Sequence, residues 1–263
     1  MTLSDDARLL DDLIAIAVDA GREAMRIYAS DFEVERKGDA SPVTEADRRC
    51  EAIILKGLAK AAPAIPVLAE ESVSEGRIPV LGDEFFLVDP LDGTKEFISG
   101  AGEFTINIAL ARGGRPALGA VFAPVIGKLY AGIVGDGAFR IAVDSDGRIG
   151  SRQSIRTRPA PKSDLIAVAS RSHRSPETDD FLKALGVADF AAAGSSLKFC
   201  LIAEGAADVY PRLGRTMEWD TAAGQAVLEA AGGRVVVHPC GEPLVYAKAA
   251  RGFDNPPFIA WGR

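Results

Sequence analysis

Two short apolar runs that stop on acids constrain this chain more than any other feature. Ile65-Pro66-Val67-Leu68-Ala69 halts at Glu70-Glu71, and Phe85-Phe86-Leu87-Val88 halts at Asp89. Unbroken apolar runs of this length read as buried strands. Ligands in layered α/β proteins gather at the carboxyl ends of strands. If the two strands are neighbours, Glu70, Asp89 and Asp92 converge at one sheet edge. Converging carboxylates repel one another unless a cation sits among them, and hard oxygen donors of this kind suit Mg²⁺. Taken singly, a Glu-Glu pair after a strand is ordinarily solvated and Asp-Pro-x-Asp-Gly is an ordinary turn. Their joint occurrence points to a site instead. Gly93 and Thr94 follow directly, offering backbone that a ligand can approach closely and a hydroxyl able to hydrogen-bond water.

The rest of the chain surrounds these strands with alternating elements. Leu9, Leu10, Leu13, Ile14, Ala17 and Ala20 recur at helical spacing and predict a helix over about 4–30. After a loop holding Lys37, Gly38 and Asp39, Thr44-Glu45-Ala46-Asp47 fits a capping box and starts a second helix that runs to Pro63. Strands are expected over 105–111, 117–123, 128–134 and 138–143. The polar, basic, proline-bearing stretch 147–163 reads as a boundary between an N-terminal half (1–147) and a C-terminal half (160–263). In the second half, strands over 165–170, 190–193, 207–212, 234–238 and 258–261 alternate with helices over 176–185, from the Gly194-Ser195-Ser196 turn to Glu204, and over 221–231. Asp220 reads as the N-cap of that last helix. The pattern is that of stacked α and β layers, an α/β fold.

Composition narrows the chemistry. A formal net charge of −7 lacks the basic excess that a nucleic-acid polymer or an anionic membrane surface requires. It leaves small anionic substrates open, since a carboxylate site reverses its local sign by binding divalent cations. Cys50, Cys200 and Cys240 lie far apart and the only histidines are His173 and His238, so zinc, disulfide and Cys/His or Ser/His/Asp chemistry have little material. Carboxylates and hydroxyls are the expected workers. The acidic N-terminus and the lack of a long apolar run predict no signal or transmembrane segment and a cytoplasmic protein. Peripheral inner-membrane association, and monomer against homodimer, stay open.

With these residues in view, the chain resembles the inositol monophosphatase superfamily. The resemblance rests on Ser41-Pro42-Val43-Thr44-Glu45-Ala46-Asp47, Leu68-Ala69-Glu70-Glu71-Ser72, Asp89-Pro90-Leu91-Asp92-Gly93-Thr94 and Trp219-Asp220-Thr221-Ala222-Ala223-Gly224, in the family's order across nearly the whole chain. Ser170-Arg171-Ser172-His173, Gly194-Ser195-Ser196-Leu197-Lys198-Phe199-Cys200, Ala203-Glu204-Gly205 and Tyr210-Pro211-Arg212 are similar to the CysQ-type 3′(2′),5′-bisphosphate nucleotidase branch. Inositol-specific members carry an acid seven positions before the Trp-Asp aspartate, where this chain has Leu213 beside Arg212 and Arg215. That setting suits a second phosphate better than a polyol.

The resemblance implies an αβαβα sandwich and two or three Mg²⁺ ions. The metal ligands would be Glu70, Asp89, Asp92, Asp220 and the Leu91 carbonyl. It further implies that the N–H groups of Gly93 and Thr94 hold the scissile phosphate, and that Asp47 takes the Thr94 hydroxyl hydrogen while Thr94 orients water. Lys198, Ser196, Arg171, His173 and Arg212 would complete the substrate site. The implied reaction is hydrolysis of the 3′-phosphate of adenosine 3′,5′-bisphosphate, and of its sulfated analogue, with an inositol or sugar phosphate as the alternative substrate. A haloacid-dehalogenase-type phosphatase needs D-x-D-x-T, and the D-x-x-D spacing here misplaces the second aspartate. A non-catalytic nucleotide sensor on the same fold would have lost a ligand or Thr94, and all are present.

Overall fold

The structure, a computed structural model, describes residues 3–30, 34–36, 42–159, 161, 163–169 and 176–263. It begins α1 (Leu3–Tyr28), β1 (Val34–Arg36), β2 (Pro42–Thr44), α2 (Glu45–Ala61), β3 (Val67–Ala69), α3 (Glu70–Ser74), β4 (Glu84–Asp92) and α4 (Thr94–Ile98). A run of strands follows: β5 (Thr105–Arg112), β6 (Arg115–Ala123), β7 (Lys128–Ile133), β8 (Gly137–Ala142) and β9 (Gln153–Ile155). Then come β10 (Leu165–Ala169), α5 (Pro176–Ala184), β11 (Val187–Ala192), α6 (Leu197–Ala203), β12 (Val209–Arg212), α7 (Ala222–Ala230), β13 (Arg234–Val237) and β14 (Phe258–Trp261).

Among the described residues, one sheet has the order β3-β4-β5-β6-β7-β8-β9 and is antiparallel except where β3 runs parallel to β4. A second sheet has the order β11-β10-β12-β14-β13, parallel on both sides of β10 and antiparallel beyond β12. The unbroken apolar character of 85–88 has a simple cause: both faces of the first sheet are covered. Phe86 and Val88 join the core under α1 and α2 with Leu13, Ile14 and Ile54, while Phe85 and Leu87 join Phe199, Cys200 and Val227 of α6 and α7. Strand residues point alternately to the two faces, so each strand contributes to two cores. In the second sheet Tyr210 and Phe258 face α6 and α7, whereas Val209 and Ile259 pack with Leu182 of α5. The layers therefore run α1/α2, sheet, α6/α7, sheet, α5, the expected αβαβα sandwich. Each fully buried Phe or Leu in them contributes roughly 1.5–3 kcal/mol against exposure.

The stretch 147–163, read from sequence as the boundary between two halves, contains β9, which pairs with β8 and extends the first sheet. The α6/α7 core also draws residues from both halves, Leu68 and Tyr130 beside Trp219 and Phe258, so the two halves share a hydrophobic interior. Cys50 and Cys200 are buried free thiols and Cys240 is an exposed one. The Lys37–Asp39 loop lies outside the described residues. Among the described residues no helix is long and apolar enough to cross a membrane.

Candidate active site

The parallel pairing of β3 with β4, in register Leu68↔Leu87 and Ala69↔Val88, sends Glu70 and Asp89 off the same sheet edge. β4 does not stop at Asp89 as the sequence suggested. It continues to Asp92 with an irregularity between those residues, Asp89 lying opposite Asn107 and Asp92 opposite Thr105. Pro90 has no N–H for the ladder, which accounts for the break. The Asp89 carboxylate accepts the Leu91 N–H at 3.0 Å across it.

Asp47 arrives from α2. The capping box is present: Asp47 Oδ2 accepts the Thr44 N–H at 2.8 Å and the Thr44 hydroxyl at 2.7 Å, while Thr44 Oγ1 accepts the Ala46 N–H at 3.1 Å. The other Asp47 oxygen accepts the Thr94 hydroxyl at 3.1 Å, and the Leu91 carbonyl lies 3.4 Å from the same hydroxyl. Asp220 corrects a second expectation. Thr221, not Asp220, is the N-cap of α7 and makes no side-chain cap bond. The Asp220 carboxylate instead accepts the Met217 N–H at 2.8 Å, which turns it out of the helix end.

Glu70, Asp89, Asp92, Thr94, Lys198, Tyr210, Arg212 and Asp220 line one cavity of about 230 Å³. Burial pushes Asp89 and Asp220 well above the usual carboxylate range, and the neighbouring acids push them further: Glu70, Asp92 and Asp220 for Asp89, Asp92 and Glu70 for Asp220. Burial also raises Asp92, against the opposing pull of the Lys198 charge and the Ser196 hydrogen bond. Lys198 itself is pushed down by burial, with Asp92 opposing. Among the described residues no three acidic, histidine or cysteine side chains form a ready-made metal cluster. The carboxylates line the cavity as separate, mutually repelling groups. All are hard oxygen donors gathered at one cavity, so the donor set fits a divalent oxygen-seeking cation.

The second half closes onto this loop through Gly194-Ser195-Ser196. Gly93 sits at φ +98°, and a Cβ there would lie 2.3 Å from Ser195 Oγ. The Ser195 hydroxyl, on a backbone at φ +49°, is 2.7 Å from the Asp92 carbonyl and 2.9 Å from the Glu103 carbonyl; its one hydrogen serves one of them at a time. Ser196 Oγ lies 3.2 Å from Asp92 Oδ2 and 2.9 Å from the Asp220 carbonyl. Asn107 Nδ2 donates to Ser196 Oγ at 3.0 Å and approaches Asp92 Oδ2 at 3.4 Å. Lys198 Nζ donates to the Ser195 carbonyl at 2.9 Å.

Thr94, Asp47, Glu70, Asp89, Leu91, Asp92, Gly93, Asp220, Ser196, Lys198 and Arg212 thus come together from both halves. Arg171 and His173 lie outside the described residues. Sequence reasoning gave no site role to Asn107, Ser195, Tyr210 or Thr216, although Ser195 and Tyr210 stand in motifs that carry the family resemblance. Asn107 had left a signal, a polar residue inside the apolar strand Thr105–Arg112; Thr216 had left none, because only packing brings it to the cavity.

A profile of the inositol monophosphatase family matches residues 6–256. The 3′(2′),5′-bisphosphate nucleotidase CysQ of Escherichia coli K12 is 43% identical over 253 residues, covering 95% of this chain and 98% of that one. Its Haemophilus influenzae counterpart is 33% identical, covering 100% of this chain and 95% of that one. Among solved structures, CysQ from Bacteroides thetaiotaomicron superimposes with a TM-score of 0.81 at 39% identity, covering 96% of each chain. An inositol monophosphatase from Thermotoga maritima gives 0.77 at 25%, covering 96% of this chain and 91% of that one. The chain belongs to the inositol monophosphatase family and is a phosphatase. Within the family its sequence runs alongside the CysQ nucleotidases over nearly its full length.

Proposed function

We propose that the chain removes the 3′-phosphate of adenosine 3′,5′-bisphosphate in a magnesium-dependent reaction giving AMP and phosphate, and accepts the 3′-phosphorylated sulfated analogue. The observation that carries this reading is the two-sided cavity: Glu70, Asp89, Asp92 and Asp220 form an acidic wall, and Lys198 and Arg212 stand on the basic side. Among the described residues, Arg212 Nε is buried without a hydrogen-bond partner, a donor suited to a second phosphate. Tyr210, packed on Phe199 and Phe258, backs the basic side of the cavity. Leu213 in place of an acid, and the nucleotidase names of the relatives, point the same way.

In this reading Glu70, Asp89, Asp92, Asp220 and the Leu91 carbonyl hold the ions. Magnesium, when bound, supplies charge neutralisation for the phosphate dianion and a more acidic water. Asp47 accepts the Thr94 hydroxyl hydrogen, so that a Thr94 lone pair is left facing the cavity to accept a hydrogen from the attacking water. Through that hydrogen bond Thr94 would orient the attacking water. The backbone N–H groups of Gly93 and Thr94 hold the phosphate oxygens, and Ser195 and Ser196 keep the loop against the second half. Phosphate release from adenosine 3′,5′-bisphosphate, its sulfated analogue and inositol 1-phosphate, with and without Mg²⁺, tests the proposal. Mg²⁺-dependent turnover favouring the nucleotides is expected; higher kcat/KM on inositol 1-phosphate would overturn it.

A further inference from the structure

We infer that Glu51 is a positioning residue for Glu70, acting through the backbone of α3; the inference rests on the proposed role of Glu70 as a metal ligand. Glu51 lies on α2, is only 3% exposed, and takes no part in the chemistry described above. Its carboxylate reaches across to the start of α3: Oε2 accepts the Glu71 N–H at 2.7 Å, and Oε1 accepts the Ser72 N–H at 2.8 Å and the Ser72 hydroxyl at 2.6 Å. The local N-cap of α3 is Ala69, which has no side-chain oxygen to give. The first-turn N–H groups of a helix need acceptors, and here a distant residue provides them.

This fixes Glu70 from both sides. Ala69 before it is held in the sheet by its pairing with Val88, and Glu71 after it is held by Glu51. Asp47, which holds the Thr94 hydroxyl, precedes Glu51 by four residues on the same helix. Residues four apart share a helix face. One face of α2 therefore sets the Glu70 backbone with one carboxylate and Thr94 with another. A carboxylate is expensive to bury, and an apolar residue would fill the space under α3 without orienting it. Groups that orient ligands from outside the coordination shell commonly change metal affinity when mutated.

The test is a double-mutant cycle on direct metal binding. Free Mn²⁺, used as a surrogate for Mg²⁺, is measured by electron paramagnetic resonance in wild type, Glu51→Gln, Glu70→Gln and the double variant, with Tm followed in parallel. Glutamine keeps the shape but replaces one acceptor oxygen by a donor that faces an N–H. Glu51→Gln is expected to weaken the most affected site about tenfold or more, and the double variant to bind no worse than Glu70→Gln alone. Ser72→Ala, which removes one donor to Glu51, should weaken binding several-fold, again only while Glu70 is present; it carries the test if Glu51→Gln does not fold. Unchanged affinity in Glu51→Gln beside weakened binding in Glu70→Gln overturns the positioning role alone, as does a fully additive cycle. Unchanged affinity in Glu70→Gln overturns the ligand assignment and the positioning role with it.

Discussion

At the scale of single residues, the site depends on positions where nothing larger or differently charged is tolerated. Gly93 combines a left-handed backbone with a close approach to Ser195 Oγ, so any side chain there is strained twice. Gly93→Ala should lower kcat by about 100-fold or more, because a displacement near 1 Å at a reacting centre costs that much; steady-state kinetics checks this. Asp89 makes a prediction of two opposite signs. Asp89→Asn should abolish phosphate release, yet raise Tm in divalent-free buffer, since it relieves a buried charge of the repulsion from Glu70, Asp92 and Asp220. Adding Mg²⁺ should raise the Tm of wild type and leave that of the variant nearly unchanged, by mass action on the folded state. A scanning-calorimetry comparison in which Asp89→Asn melts lower than wild type without metal would sink the repulsion argument.

At the scale of elements, the loop-to-helix joints carry the site, and close packing sets their positions. Asp220 is delivered by α7, and α7 lies near α6 because Gly224 has no side chain: a Cβ there would meet the Phe199 ring at 2.5 Å. Gly224→Val should therefore destabilise by about 1–3 kcal/mol through overpacking. It should also weaken metal binding through Asp220; urea unfolding and a Mg²⁺ titration read the two effects separately. The element scale also marks where sequence reading was strongest and weakest. The 44–47 capping box was legible as a helix start from local hydrogen-bonding logic alone, and its second use, Asp47 holding Thr94, came only from the family resemblance. The five-residue helices α3 and α4 left no periodic signal, because one turn is too short to show a period. β9 lay hidden in a basic, proline-bearing stretch because an edge strand with exposed residues has no apolar pattern to reveal it.

At the scale of the molecule, the two halves are bound by a shared core, and a half-buried ion pair where the first sheet leads into the second gives the folded state a pH response of its own. Buried Asp208 accepts Arg158 Nε at 2.8 Å, Arg158 Nη2 at 2.6 Å and the Ile166 N–H at 2.8 Å, tying the segment after β9 to the second sheet. Burial pushes its carboxyl up, but these hydrogen bonds outweigh it and hold the group below the ordinary carboxylate value. A lowered folded pKa means that the stabilisation is present above the unfolded pKa, roughly 3.9, and is lost as pH falls through the folded value. Asp208→Asn should lower stability near neutrality and flatten the acid limb of the stability curve, measured as urea midpoints from about pH 6 down to pH 3. The sequence by itself determined what depends on neighbours along the chain: the buried strands, the helix starts, the acids at strand ends and the order of motifs that marks the family. Only the tertiary structure decided which of those acids meet. That Asp220 faces Asp89, that Glu51 holds the backbone beside Glu70, and that Tyr210 and Arg212 stand across the cavity are consequences of how five layers stack. Contacts between residues twenty to more than a hundred positions apart leave no periodicity in a single sequence, so packing alone settles them.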